Sequence, residues 1–97
     1  MYARIATVQI QPGKLDEAVR IFQDSVVPAA KRQKGFKSIM LMTDRNTGKG
    51  VSVAVWETEA DMKANEASGY LQEQFAKFGA LFAAPPVVER YELAAQA

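Results

Sequence analysis

Residues 51–58, with the sequence Val-Ser-Val-Ala-Val-Trp-Glu-Thr, constrain the fold more than any other stretch of this chain. Branched apolar residues alternate with small ones, and the run ends near Trp56, the only tryptophan. This pattern is typical of a central β-strand with packed side chains on both faces. Thr58 stands three residues before Asp61, so the spacing predicts a capped helix directly after the strand.

The first third of the chain reads as a strand followed by a helix. Residues 2–11 alternate as a strand, which Pro12 and Gly13 end. From Lys14 onward, apolar residues recur at helical spacing and predict an amphipathic helix. Pro28 lies inside this helix, and because proline has no backbone N–H, we expect a kink or an early end there.

The remaining elements follow the same reasoning. Residues 36–43 predict a second strand, with Phe36, Ser38, Met40 and Met42 on one face, and a polar hairpin loop connects it to the strand at 51–58. A short helix to about residue 67 and a segment from Tyr70 come next. That segment carries an aromatic and apolar stripe at helical spacing, which consists of Leu71, Phe75, Phe78 and Phe82. Residues 87–93 predict the last strand.

The order strand, helix, strand, strand, helix, strand predicts an α+β fold of the ferredoxin-like, split βαβ type, with one domain over residues 1–97. Two helices cover one face of a four-stranded antiparallel sheet, yet the strands around Met40 and Val53 carry apolar residues on both faces. A second copy of the chain is the simplest cover for the other face. We therefore expect a twofold-symmetric homodimer.

Composition excludes several classes of site and partner. The chain has no histidine and no cysteine, so zinc sites of the usual N/S type, a histidine-ligated haem and a thiol nucleophile are excluded. No loop shows the spacing of a carboxylate metal site, and we expect neither metal nor cofactor. A net charge of +1 argues against nucleic-acid binding. No apolar run reaches the roughly 18 residues of a membrane span, so we expect a cytoplasmic protein that does not bind membranes.

Three stretches of the sequence resemble the antibiotic biosynthesis monooxygenase family. They are Val-Trp-Glu-Thr-Glu-Ala at 55–60, the helical continuation Tyr-Leu-Gln at 70–72, and Pro-Pro-Val-Val-Glu-Arg-Tyr at 85–91. The strand end Gln-Pro-Gly-Lys at 11–14 and the Lys-Gly-Phe step at 34–36 are also similar to that family. The resemblance covers nearly the whole chain and implies a dimeric α/β barrel with a pocket between the sheet and the helices.

The resemblance also implies an activity. Several members of the family oxygenate phenols or quinols without metal or flavin, because an electron-rich phenolate can donate an electron to dioxygen itself. A protein that supports this chemistry supplies a dry cavity, a route for deprotonation and donors for developing negative charge. The expected function is cofactor-independent oxidation of a small aromatic phenol or quinol. The alternative is a non-catalytic dimer that binds a small ligand or acts in stress, and a third is a support for a larger assembly.

The candidate site residues fall into two groups. The candidate catalytic residues are Trp56, Asn65 and Tyr70, and the candidate substrate-binding residues are Ser52, Met40, Phe75, Phe78 and Tyr91. Ser52 stands where polyketide-oxidising members carry an asparagine, and Asn65 where the family often carries a histidine. Each residue also has a structural interpretation, since buried aromatic residues most often fill cores. Arg4 and Arg90 are expected on outer strands, in interface or surface ion pairs with Glu89 or Glu92.

Overall fold

The sheet has four antiparallel strands in the order β2-β3-β1-β4. A computed structural model describes all residues, 1–97. The strands are β1 (Tyr2–Gln9), β2 (Phe36–Asp44), β3 (Lys49–Trp56) and β4 (Val87–Glu92). The helices are α1 (Leu15–Ile21), α2 (Val27–Lys31), α3 (Glu59–Ala67) and α4 (Tyr70–Ala76). The predicted ferredoxin-like α+β fold is confirmed. The first predicted helix is divided in two, and the predicted break after residue 67 separates α3 from α4.

The first helical region does not end at Pro28. A π-helical segment, Phe22–Val26, joins α1 to α2, and its widened turn is visible where Val27 N–H donates to the carbonyl of Phe22. Proline cannot donate to the carbonyl of Asp24, and a π turn immediately before it lets the chain continue without that bond. The expected early end is therefore wrong, and the irregularity precedes the proline.

The second helical region begins as the sequence predicts and ends early. Asp61 N–H donates to the Thr58 hydroxyl over 3.0 Å, which confirms the predicted cap of α3. However, α4 ends at Ala76, and a 3₁₀ turn at Gly79–Leu81 follows, in which Gly79 has a φ of 49°. The predicted helical stripe through Phe78 and Phe82 is thus wrong beyond the first half of the segment.

The two faces of the sheet differ sharply in what covers them. On β1, Arg4 faces the helices, and its register partner Ala54 does the same on β3. Met40 and Val53 are paired on the opposite face, where Met40 is 49% exposed. That face has no covering element in the single chain. Its large exposed apolar side chains are Met40, Met42, Val87 and Tyr91.

A β-bulge at the start of β2 changes one predicted face. Phe36 and Ser38 pair with adjacent residues of β3, Trp56 and Val55, so Lys37 is an extra residue in the ladder. The bulge turns Phe36 toward the helices, away from the face that Ser38 and Met40 share. The prediction that all four alternate residues of β2 share one face is wrong for Phe36.

The best-buried side chains lie where the end of β3 meets α3. Trp56 and Met62 are each 1% exposed and pack with Ala54. Phe36 contacts the tryptophan edge-on, with ring centroids 6.4 Å apart. This cluster fixes the indole in place, and it therefore holds one wall of the cavity described next.

Candidate functional site

A cavity of about 70 Å³ lies between the sheet and the helices. Its lining is mostly apolar and comes from the helix-facing side chains of β1, β2 and β3, from the π-helical segment and from α4 with the 3₁₀ turn after it. The polar members of the lining are Arg4, Ser52, Trp56, Tyr70 and Gln74. An apolar space with a few polar groups is typical of small-molecule sites.

Five of the predicted site residues line this cavity: Trp56, Tyr70, Ser52, Phe75 and Phe78. The strand residues are there because alternate positions of β3 share the helix-facing side. Tyr70 is buried at the start of α4, and burial raises the pKa of its hydroxyl against the opposing influence of Arg4. The hydroxyl of Tyr70 therefore stays protonated at neutral pH.

The structure does not bring Met40 and Tyr91 to the cavity. Met40 lies on the uncovered face of β2, on the opposite side of the sheet from Ser52 and Trp56. Tyr91 is 51% exposed, and its hydroxyl donates to Glu89 over 2.7 Å. Successive side chains of a strand point to opposite faces of the sheet, and the positions of both residues in their strands place them on the uncovered face.

Asn65 is buried but does not line the cavity. It is 7% exposed, and Arg4 Nη1 donates to its side-chain amide oxygen Oδ1 over 3.1 Å. Its amide nitrogen donates in turn to Gln33 over 3.1 Å. Asn65 is thus placed to hold Arg4 and contacts the cavity only through it.

Arg4 is the site residue that the sequence reasoning missed. It lies on a central strand, is 4% exposed, and its guanidinium carbon is 5.2 Å from the centroid of the Trp56 ring. The expected interface or surface ion pair of Arg4 with Glu89 or Glu92 is wrong, because its carboxylate neighbour is Glu66. The alternation of β1 contains the signal, since Arg4 shares its face with the apolar Ala6 and Val8.

Glu66 of α3 joins two arginines. Arg90 donates to its Oε1 from Nε over 2.8 Å and from Nη2 at 2.6 Å, whereas Arg4 Nη1 is 3.5 Å from Oε2. Burial raises the pKa of Glu66, but the hydrogen bonds and charges of Arg90 and Arg4 outweigh it and leave the pKa below its usual value. Burial lowers the pKa of Arg4, and the nearby carboxylate partly offsets this. Arginine remains charged despite such shifts.

Two polar atoms of the lining residues are buried without a hydrogen-bond partner. They are the indole Nε1 of Trp56, a donor, and Oε1 of Gln74, an acceptor. Gln74 is four residues after Tyr70 on α4, so the same helix face could have been identified from spacing. Buried unpaired polar groups destabilise a free protein and gain most from a ligand that pairs with them. The arrangement can therefore bind a polar oxygen inside an otherwise apolar space.

Metal-binding clusters and membrane-spanning helices are both absent from the structure, in the forms that follow. No group of three acidic side chains comes together in a way that could hold a metal ion. None of the helices has the length and the apolar character needed to cross a membrane.

Curated relatives of this chain include two from Mycobacterium tuberculosis. The uncharacterized protein Rv2557 is 31% identical over 96 residues, which cover 98% of this chain and 42% of the relative. The uncharacterized protein Rv2558 is 30% identical over 95 residues, which cover 97% of this chain and 39% of the relative. The chain therefore spans about two fifths of the length of these relatives.

Solved structures with the same fold include a mutant form of SnoaB from Streptomyces nogalater, described as a cofactor-independent oxygenase. It superposes with a TM-score of 0.80 at 17% identity, over 98% of this chain and 94% of that one. A Bordetella bronchiseptica protein, provisionally assigned as an antibiotic biosynthesis monooxygenase, has a TM-score of 0.76 at 25% identity, with 97% of each chain covered. The sequence model of the antibiotic biosynthesis monooxygenase family matches residues 1–81. With this match over most of its length, and with the sheet, cavity and tryptophan described above, the chain belongs to the antibiotic biosynthesis monooxygenase family.

Proposed function

We propose that residues 1–97 act as one domain that oxygenates a small aromatic phenol or quinol with dioxygen, without metal or organic cofactor. The observation that carries the proposal is the apolar cavity with Trp56 and Arg4 in its wall, in a member of this family. The similarity in fold to a cofactor-independent oxygenase adds support.

The proposed reaction needs little from the protein beyond binding and charge stabilisation. The phenol ionises, its electron-rich ring reduces dioxygen, and the ring C–H para to the phenolic oxygen becomes a carbonyl, so that the product is a quinone. One oxygen atom enters the product and the other leaves as water, so the substrate supplies all the electrons. Trp56 and Arg4 stabilise the ionised oxygen, Tyr70 supplies a protonated hydroxyl, and the phenylalanines keep water out.

Oxygen uptake over a panel of quinols and anthrones tests this proposal. We expect substrate-dependent uptake by the wild type and a loss of about 10²–10³-fold in kcat for Trp56→Phe, the range for removal of one oxyanion donor. Arg45→Gln is the matched control, since Arg45 is exposed and pairs with Asp16 away from the cavity. Wild type and Trp56→Phe that are equally inert would contradict the proposal.

A non-catalytic ligand-binding function is the second candidate, and the size of the cavity favours it. A cavity of about 150 Å³ accepts benzene, whereas this one has about 70 Å³. Phe78 and Phe82, which both line it, stack with their ring centroids 5.5 Å apart. An aromatic ligand enters only when these side chains move outward. Tight binding of a panel compound with no oxygen uptake would select this second function.

We also propose that the uncovered face of the sheet is covered by a second copy of the chain. Met40, Met42 and Tyr91 are each about half exposed on this face, and no element of the same chain reaches them. Large apolar side chains that are exposed on one uncovered face of a sheet support an interface there. Sedimentation at micromolar concentration should give a dimer for the wild type and a monomer for Met42→Lys. A wild-type monomer would contradict the proposal.

A further inference from the structure

Gln74 is a buried polar residue in the middle of an apolar helix face. It is 7% exposed and lines the cavity from α4, where Leu71 and Phe78 lie three residues before it and four residues after it. Positions three or four residues apart share one face of a helix, and a face that packs on a sheet normally carries apolar side chains. The amide of Gln74 therefore interrupts the apolar stripe at the place where the cavity lies.

The side-chain oxygen of Gln74 has no partner within the chain. Oε1 is buried and accepts no hydrogen bond. The donor side chains that line the same cavity are Arg4, Ser52, Trp56 and Tyr70. None of them donates to Gln74 Oε1. A buried acceptor that has lost its water and gained no donor destabilises the free protein, so the amide oxygen of Gln74 contributes nothing to the stability of the fold.

The partner that Gln74 Oε1 lacks is a hydrogen-bond donor. An amide oxygen only accepts, so an ether, a carboxylate or an ionised hydroxyl cannot pair with it, whereas an uncharged hydroxyl or an N–H group can. A site with a buried polar group discriminates against an analogue that lacks the matching group, because the site's own atom then stays unpaired. An unpaired acceptor in the wall of an apolar cavity therefore favours ligands that bring a donor.

We infer that Gln74 is a specificity-determining residue, whose Oε1 accepts a hydrogen bond from an uncharged hydroxyl or N–H group of an aromatic ligand. The inference rests on the proposed function because it takes the same cavity as the ligand site. It goes further than that function, since it requires a substrate with a donor group in addition to the oxygen that ionises. The indole N–H of Trp56, which is the unpaired donor of the same cavity, then pairs with a different atom of the ligand.

Indole and benzothiophene separate the donor group from the other properties of a ligand. Both are flat bicyclic aromatic molecules of nearly the same shape, neither ionises at neutral pH, and only indole carries an N–H donor. NMR titration of the ¹⁵N-labelled protein measures both dissociation constants even when binding is weak, and the side-chain amide signal of Gln74 reports the contact. The wild type should bind indole about tenfold more tightly than benzothiophene, and indole should shift the amide signal of Gln74.

Two variants assign the preference for indole to Gln74. Gln74→Leu should fold, because it replaces an unpaired polar group with an apolar one, and the ratio of the two dissociation constants should fall to about one. Gln72→Leu is the matched control, since it makes the same substitution on α4 at an exposed position outside the cavity. It should keep the wild-type ratio. The indole N–H signal of Trp56 shows in each protein that the cavity wall is intact.

The outcomes separate this inference from the proposed function. Equal binding of the two compounds to the wild type would overturn the inference and would mean that Gln74 Oε1 holds only a buried water. Tighter binding of benzothiophene, no binding of either compound, or an unchanged ratio in Gln74→Leu would overturn it as well. Neither compound is a phenol or a quinol, so these results do not depend on turnover. Indole-selective binding that requires Gln74, without oxygen uptake on any panel compound, would uphold the inference and reject the oxygenase.

Discussion

Removal of the charge on Glu66 should destabilise the fold far more than a surface ion pair would. In Glu66→Gln the two arginines keep a polar neighbour of the same size and lose their shared counterion. Loss of one partner from a fully buried pair costs about 3–5 kcal/mol. Here Glu66 is 20% exposed and Arg90 is 46% exposed, and Asn65 still holds Arg4. We therefore expect about half of that cost, roughly 2 kcal/mol in the free energy of unfolding.

Chemical denaturation, followed by far-UV circular dichroism and by the fluorescence of Trp56, measures this loss. For a domain of this size the corresponding drop in Tm is about 8–16 °C. Wild type and variant must be compared at one protein concentration, since association shifts apparent stability. Glu59→Gln is the matched control, because Glu59 and Lys63 form an exposed pair at 3.7 Å, worth less than about 0.5 kcal/mol.

The pH dependence of stability and a double variant test the role of Glu66. The pKa of Glu66 is depressed in the folded protein, so its contribution is present above the pKa of an unfolded glutamate and is lost as pH falls through the folded pKa. The difference between wild type and Glu66→Gln should therefore shrink on acidification. Arg4→Met should restore stability to Glu66→Gln, because it removes the buried charge left unpaired. A loss no larger than that of Glu59→Gln, or no rescue, would refute the account.

Three further substitutions test other parts of the structure. Met62→Ala should lower the free energy of unfolding by about 2–5 kcal/mol because it leaves a cavity beside Trp56. A loss below about 1 kcal/mol in urea denaturation would contradict this prediction. Gln74→Leu should raise stability by about 1 kcal/mol, since it removes a buried acceptor without a partner, and calorimetry showing a lower Tm would disprove this. Gly35→Ala should destabilise by more than about 1 kcal/mol, because Gly35 has a φ of 79° and an added Cβ would clash with Asp61; an unchanged Tm would count against it.

The elements that could be predicted are those set by local patterns. The alternation of β3, the Thr58 cap and the first half of the stripe on α4 each depend on residues close in sequence, and the structure has all of them. Trp56, Ser52 and Tyr70 reached the cavity because their positions in strand or helix decide the face they occupy. The family resemblance rested in part on these residues, through the stretches 55–60 and 70–72, and the match of the family model confirms it.

The parts that could not be predicted depend on strand order and on single insertions. Arg4 was assigned to the surface because the alternation of residues 2–11 shows which residues share its face, whereas it does not show that β1 lies inside the sheet, between β3 and β4. Glu66 links Arg4 and Arg90 only once α3 has packed on that sheet. Met40 was placed in the site since a two-sided apolar strand does not show which side faces the helices.

The bulge in β2 has a consequence for how this fold can change over evolution. One extra residue, Lys37, separates an aromatic side chain on the cavity side of the sheet from the methionines on the uncovered side. Deletion of that residue would carry Phe36 out of the cavity wall, while Met40 and Met42, beyond the bulge, would keep their side of the sheet. The cavity wall at this end of β2 can therefore change by short insertions or deletions while the uncovered face of the sheet keeps its side chains.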